Sequence, residues 1–328
     1  MKSLKEYIHE GLLDRVKNKE VNHKVLIEEF LEANYHLGGS YTIKDTNNGF
    51  IVDVEGYAEV ENINITSLTN GLFEFGEVSG GFSCSGCESL RTLEGAPEKV
   101  EYAFYCRECI SLTSLMGAPK EVSGDFCCKG CDSLKTLEGA PQKVSGDFNC
   151  KNCKSLKTLE GAPKAVGGGF TCNNCKSLIS LKGAPKKVNK DFYCQGCDSL
   201  TSLEGSPKEV GDDFSCSYCE SLTSLKGAPK EVGRNFKCDK CNSLKTLEGS
   251  PKEIGGSFYC TFCDSLTSFE GAPEKIRWHF WGGSCKSLTS LEGAPKEIGG
   301  EFSCRDCGVQ FTEEDVRKHI KVAKKIYV

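Results

Sequence analysis

The residues best suited to chemistry in this chain are its 22 cysteines. They fall into two series. One runs through 84, 106, 128, 150, 172, 194, 216, 238 and 260, gives way to glycine at 282, and returns at 304. The other recurs every 22 residues from Cys87 to Cys307 without a gap. Together they spell Cys-x-x-Cys along most of the chain. Zinc takes four ligands, usually two such pairs, at about 2.3 Å, and Cys84, Cys87, Cys106, Cys109 and their equivalents would be the set. Redox chemistry is a second use. A third is nucleophilic catalysis by a Cys/His pair, since His279 lies six residues before Cys285.

The spacing itself argues for a plainer role. At 282 glycine replaces one member of a pair while Cys285 stays, whereas a paired metal site would tend to lose both. His279 is the one histidine of the array. A nucleophile must be singled out by its base, and a cysteine repeated in unit after unit is not. Buried cysteine behaves as a small apolar residue. The expectation is therefore core thiols, no cofactor and no enzyme, with a zinc-binding or redox-responsive cysteine array as the alternative. Cys127, outside both columns, should point to the opposite strand face from Cys128 and be the solvent-reachable thiol.

The elements that would position these residues follow from the period. All ten prolines lie in one column from Pro97 to Pro295, and phenylalanine fills another from Phe82 to Phe302. One unit reads FYCRECISLTSLMGAPKEV, Phe104 to Val122. A unit this short cannot bury its own apolar side and must stack on its neighbours. Phe104 and Cys106 alternate with Tyr105, as on a strand, and Leu112 and Leu115 return to the interior. Gly117-Ala118-Pro119 turns the chain. Each 22-residue repeat thus gives one short strand of a parallel sheet, and eleven strands about 4.8 Å apart span roughly 50 Å.

This pattern resembles leucine-rich repeats: Phe104-x-Cys106-x-x-Cys109-x-x-Leu112 maps onto their apolar-x-apolar-x-x-Asn/Cys-x-x-Leu core. The Ser-Leu-x-Ser-Leu and Pro-x-x-Val pieces look most like the BspA-like type. They are similar to SLxSLxGAPxxVxGxFxC repeat proteins encoded by large tailed bacteriophages. The resemblance covers about residues 60–307 and implies a leucine-rich-repeat-type solenoid. It implies that the second cysteine column is an inward ladder and that the outward strand column is a binding face. A fold alone does not fix a function.

Both ends read as caps. The N-terminal helical segment is expected over residues 1–40, with one stripe on Leu4, Ile8, Leu12 and Val16 and a second helix around Val25, Leu26, Phe30 and Leu31. Residues 41–81 read as a β-hairpin about Asn48-Gly49, then a degenerate repeat in which Phe75 replaces the proline and Ile65 the cysteine. The solenoid proper covers 82–307. In the C-terminal cap, 308–328, Thr312-Glu313-Glu314-Asp315 can start a helix running to about Lys324.

If the fixed columns build the coil, variation carries the information. Large aromatic residues in or beside the outward column are Tyr105, Tyr193, Tyr259, Phe262, Trp278 and Trp281, with His279 between the two tryptophans. Exposed aromatics are over-represented among binding hot spots. The competing reading of Arg277–Cys285 is that Trp281 fills space vacated at Gly282, with a local bulge at Gly282-Gly283.

The net charge of −5, from 41 basic and 46 acidic residues, gives no attraction to nucleic acid or an anionic membrane. No apolar run approaches the ~20 residues of a membrane span. The many cysteines without an export signal place the chain in a reducing compartment, the cytoplasm. Residues 1–10, MKSLKEYIHE, resemble capsid-targeting peptides of large tailed phages, and that resemblance implies cleavage after Glu10. The expected function is a monomeric, non-enzymatic scaffold, phage-encoded and binding a host or virion protein. An internal virion protein is a further alternative.

Overall fold

The structure, a computed structural model, describes residues 22–61 and 63–328. The stripe on Leu4, Ile8, Leu12 and Val16 and the cleavage position Glu10 lie outside the described residues.

The repeats wind into a parallel β-solenoid. Each coil opens with a two-residue strand whose Phe points inward, such as Phe104–Tyr105 or Phe126–Cys127. These strands pair in parallel and in register, Phe on Phe, inside a 14-stranded sheet that begins at His36–Leu37 and ends at Ile326–Tyr327. From Phe82 to Phe302 the rings form one column, with successive centroids 5.0–5.6 Å apart and planes within 4–15°. This is offset stacking set by the strand spacing. The two leucines of each coil are buried behind this column, and the Gly-Ala-Pro turn brings the chain back. Gly117 shows why glycine opens that turn: its φ is +89°, and a Cβ there would sit 2.4 Å from the backbone of Leu93 and Glu94 one coil earlier.

A second strand follows the turn, a feature the single-strand reading of the repeat had not included. Glu121–Val122 pairs in parallel with Lys99–Val100 and Lys143–Val144, valine on valine. This position, valine or isoleucine, is buried in every coil, and its column supplies the opposite wall of the core. This second ladder holds 11 strands, from the hairpin to Glu253–Ile254, and is followed by a separate three-stranded piece, Lys275–Ile276, Glu297–Ile298 and Lys321–Val322. Each coil therefore has hydrogen-bonded rungs on two sides, and apolar side chains between them.

The ends close this interior. Helix α1, His23–Asn34, buries Leu26, Ile27, Phe30 and Leu31, while Val25 faces outward. Its Phe30 meets Phe73 edge-on at 6.1 Å, and the Tyr35 hydroxyl donates to the Leu68 carbonyl at 2.6 Å. The hairpin pairs Ser40–Thr46 with Gly49–Glu55 and starts the second ladder. Phe75 and Ile65 of the degenerate repeat are buried, and Val78 pairs with Val100. At the other end helix α2, Glu313–His319, is started by a Thr312/Asp315 capping box. It stops at His319, short of Lys324, because Lys321–Val322 is taken into the second ladder beside Glu297–Ile298. The C-terminal segment is thus one more coil, with α2 in place of the leucine arc.

Candidate functional site

The irregular stretch around Trp281 is explained by a residue further back. In the second leucine column, Leu93 to Leu247, position 269 is phenylalanine. Phe269 is fully buried, edge-on to Phe280 at 4.9 Å and to Phe302 at 6.2 Å. A Cβ on Gly282 would lie 2.7 Å from the Phe269 ring and 2.9 Å from Phe280. The larger ring of one coil thus occupies the room that a cysteine needs in the next. Trp281 does not fill that space; its side chain lies on the outer face. No bulge forms at Gly282-Gly283 either, for Phe280–Trp281 pairs in register with Phe258–Tyr259 and with Phe302–Ser303.

Freed from the core, the aromatics of this stretch form a continuous run with a residue the period did not reveal. Trp278 (50% exposed) has its ring 6.3 Å from His279; His279 lies 5.8 Å from Trp281, and Trp281 5.8 Å from Tyr327. Ser303, between Trp281 and Tyr327 in register, is small and buried. Gly256 and Gly300 flank Trp278 in its column, and a Cβ at Gly300 would meet the Trp278 carbonyl at 2.4 Å. Tyr259 stands one rung before Trp281, with the Lys237 ammonium 5.9 Å above its ring.

The other expected aromatics lie elsewhere. Phe262 (49% exposed) belongs to a turn column, where it and Tyr218 flank Lys240, at 5.5 and 4.9 Å from its ammonium. Tyr193 is three rungs from Tyr259, beyond Lys237 and Ser215. Burial, then Asp191 and Asp213, push its hydroxyl up to about 12. Tyr105 is far along the ladder, stacked under the Arg107 guanidinium at 4.0 Å.

His279 has a structural partner set. In seven coils the residue before the strand Phe accepts, through its side chain, the backbone N–H of its equivalent one coil on. Asp125 accepts from Asp147, Asp147 from Gly169, Asp191 from Asp213, Asp213 from Asn235 and Asn235 from Ser257. Ser257 then accepts from His279, and His279 Nδ1 from Glu301 at 3.0 Å. A ring nitrogen that accepts an N–H carries no proton. The 3.6 Å approach of the same nitrogen to the Glu301 carboxylate is therefore not an ion pair in this arrangement. Asp213 is a charged anchor of this ladder, accepting from both the backbone and the side chain of Asn235. Burial works against its charge, but Lys237 at 2.6 Å and the Asn235 amide hold its carboxyl below the usual range.

The cysteines also form a ladder. Each thiol of the second column donates to the backbone carbonyl of the first-column residue one coil earlier: Cys109 to Cys84, Cys131 to Cys106 and Cys153 to Cys128, at 3.1–3.2 Å. Cys285 donates to Cys260 at 3.2 Å, and Cys307 still reaches the Gly282 carbonyl at 3.6 Å. This explains why the second column survives the loss of the first-column cysteine: its acceptor is a backbone atom. Cys285 is thus an inward residue and His279 an outward one, and no hydrogen bond links them. Burial pushes the Cys87 and Cys304 thiols up to about 12 and Cys307 to about 11, whereas contact with the Cys84 thiol lowers Cys109. Cys127 is 5% exposed, covered between Tyr105 and Asn149 in the same ladder. Cys307, not Cys127, is the partly exposed thiol.

Close to the aromatic run the second ladder parts. Gly255 donates to Val232 and Gly299 to Ile276, each at 2.9 Å, but the equivalent bond from Arg277 to Ile254 is not made. A cleft of about 940 Å³ opens there, lined by Pro251, Glu253, Pro273, Lys275, Arg277 and Glu297 among others. The break and Phe269 belong to the same coil, and we attribute the one to the other: a ring where a leucine fits spreads the two walls.

No family model matches the chain, and no curated protein matches it. Among solved structures, a leucine-rich repeat protein from Bacteroides ovatus is similar at 13% identity, over 88% of this chain and 98% of that one, with a TM-score of 0.30. At that score the likeness adds nothing to the fold derived above. No helix among the described residues is long and apolar enough to cross a membrane.

Proposed function

We propose that the chain is a non-enzymatic, protein-binding repeat scaffold, and that its partner docks on the C-terminal aromatic run of Trp278, Trp281 and Tyr327, with Tyr259 at its margin. The observation that carries this reading is that these rings lie outside the packed interior while Phe269 and Gly282 do the packing. Clustered exposed aromatics are the side chains that dominate binding energy at interfaces. Buried thiols committed to backbone carbonyls support core cysteines without a cofactor. The repeat lettering supports a phage origin, with a host or virion protein as target; the capped ends support a monomer, and the many unpaired cysteines a reducing compartment such as the cytoplasm.

The test is partner capture by the full chain with Trp278→Ala and Trp281→Ala, each checked for an unchanged thermal transition. Both should lose the partner, since hot-spot aromatics typically contribute ≥ ~2 kcal/mol to binding. Capture that survives both substitutions would sink the assignment.

A further inference from the structure

We infer that the C-terminal aromatic run takes an acidic segment of the partner, extended and bearing at least one large apolar side chain. This rests on the reading of the run as a protein-binding surface and names what that surface selects.

Some lysines along the coils meet a carboxylate one rung away, such as Lys154 with Asp132 at 2.7 Å, Lys182 with Glu160 at 2.8 Å and Lys296 with Glu274 at 2.9 Å. At the run several cations lie over rings. Lys324 stands 5.7 Å above Trp278, while Arg305 and Lys325 each stand 4.7 Å from the Tyr327 ring centre. None of the three, nor exposed Arg277 beside Trp278, pairs with a carboxylate among the described residues. The nearby acid, Glu301, takes a hydrogen bond from the Tyr327 hydroxyl at 3.4 Å. A chain of net charge −5 thus sets four cations without a salt bridge along the run of Trp278, Trp281 and Tyr327.

A cation over a ring keeps its charge and its outer hydration. An incoming carboxylate can therefore approach without first breaking an ion pair, and complementary potentials raise the association rate and fix register. From Tyr259 through Trp281 and Ser303 to Tyr327 are three strand spacings, about 14 Å, the length of about four extended residues. Trp281 and Tyr327, with ring centres 5.8 Å apart, close over buried Ser303, so an apolar side chain of the segment would pack on the outer faces of these rings and of Trp278.

Because Trp278 and Trp281 are the only tryptophans, tryptophan-selective emission reads this surface directly. The full chain would be titrated with a random poly(Glu,Tyr) copolymer and with its poly(Lys,Tyr) counterpart. Poly(Glu,Tyr) should shift the emission, with affinity falling about tenfold between low and high salt, and poly(Lys,Tyr) should not. Arg305→Glu, Lys324→Glu and Lys325→Glu together should weaken poly(Glu,Tyr) about tenfold or more, with the thermal transition unchanged. No response to poly(Glu,Tyr), an equal response to poly(Lys,Tyr), or unaltered affinity in the folded triple variant would overturn the inference. Partner capture separates this failure from that of the underlying reading. If Trp281→Ala abolishes capture and the triple variant does not, protein binding stands and the acidic preference falls; if neither affects capture, the reading itself falls.

Discussion

Between Phe82 and Leu247 each coil sets the same residue types in the same places, and both ladders run unbroken. From Ile254 to Tyr327 the first ladder continues, but the second parts, a leucine becomes Phe269, a cysteine becomes Gly282 and an arc becomes helix α2. The difference shows what the period enforces. In the regular coils a side chain is packed by its own equivalents above and below, so a change in one coil must be answered in the next. Phe269 and Gly282 are such an answer. Trp281 is not, which is why it is left for the surface.

The contrast can be broken in four ways, taken from the largest effect to the smallest. Phe148→Ala removes a ring from the middle of the stack, where Phe126 and Phe170 both lose a neighbour, and should cost about 3–5 kcal/mol in denaturant unfolding. Gly282→Cys should cost about 1–3 kcal/mol by overpacking against Phe269, and Phe269→Leu in the same chain should recover most of it. Strict additivity of the two changes in a double-mutant cycle would mean that they are not a matched pair.

The third concerns acid. Asp213 has its carboxyl held below the unfolded value, so its contribution is fully present above about pH 4 and is lost as pH falls through the folded value. Stability should decline more steeply in acid for the native chain than for Asp213→Asn; parallel pH profiles would exclude an anchoring role. The smallest effect is local. The Arg277 amide should exchange with solvent faster than those of Gly255 and Gly299, which have carbonyl partners. In the Phe269→Leu, Gly282→Cys chain it should slow. If it stays fast there, the swollen coil is not what parts the ladder.

Much of this was legible in the sequence because the interior is periodic. Phenylalanine, cysteine, leucine and proline recur at one spacing, and stacking follows from a unit too short to fold alone. The second ladder was harder to see. Its strands are two residues long, and one buried valine gives no alternation to read. The Phe269–Gly282 contact was visible only as two exceptions in different columns, and nearness in the chain drew attention to Trp281 instead. His279 could have been placed by the Asp, Asn and Ser that precede other strand phenylalanines. Tyr327 could not be found by period, because the coil carrying α2 is two residues longer than the 22-residue repeats, and Ser303 pairs with Tyr327 rather than with Lys325. Which thiol is exposed depended on neighbours in adjacent strands, and those cover Cys127.

The parted second ladder also has a mechanical meaning. A chain pulled from its C-terminus transmits tension rung by rung, and rungs tied on two sides share that load. At Ile254 and Ile276 the second side keeps only the longer 3.3 Å bond from Trp278 to Gly256, so more of the load falls on the first ladder and the packed rings and the solenoid should yield there first. Residues 275–328 would then come away as the first event. Stretching of single molecules should record an opening step of about 180 Å of released chain, ahead of larger forces for the coils before Ile254.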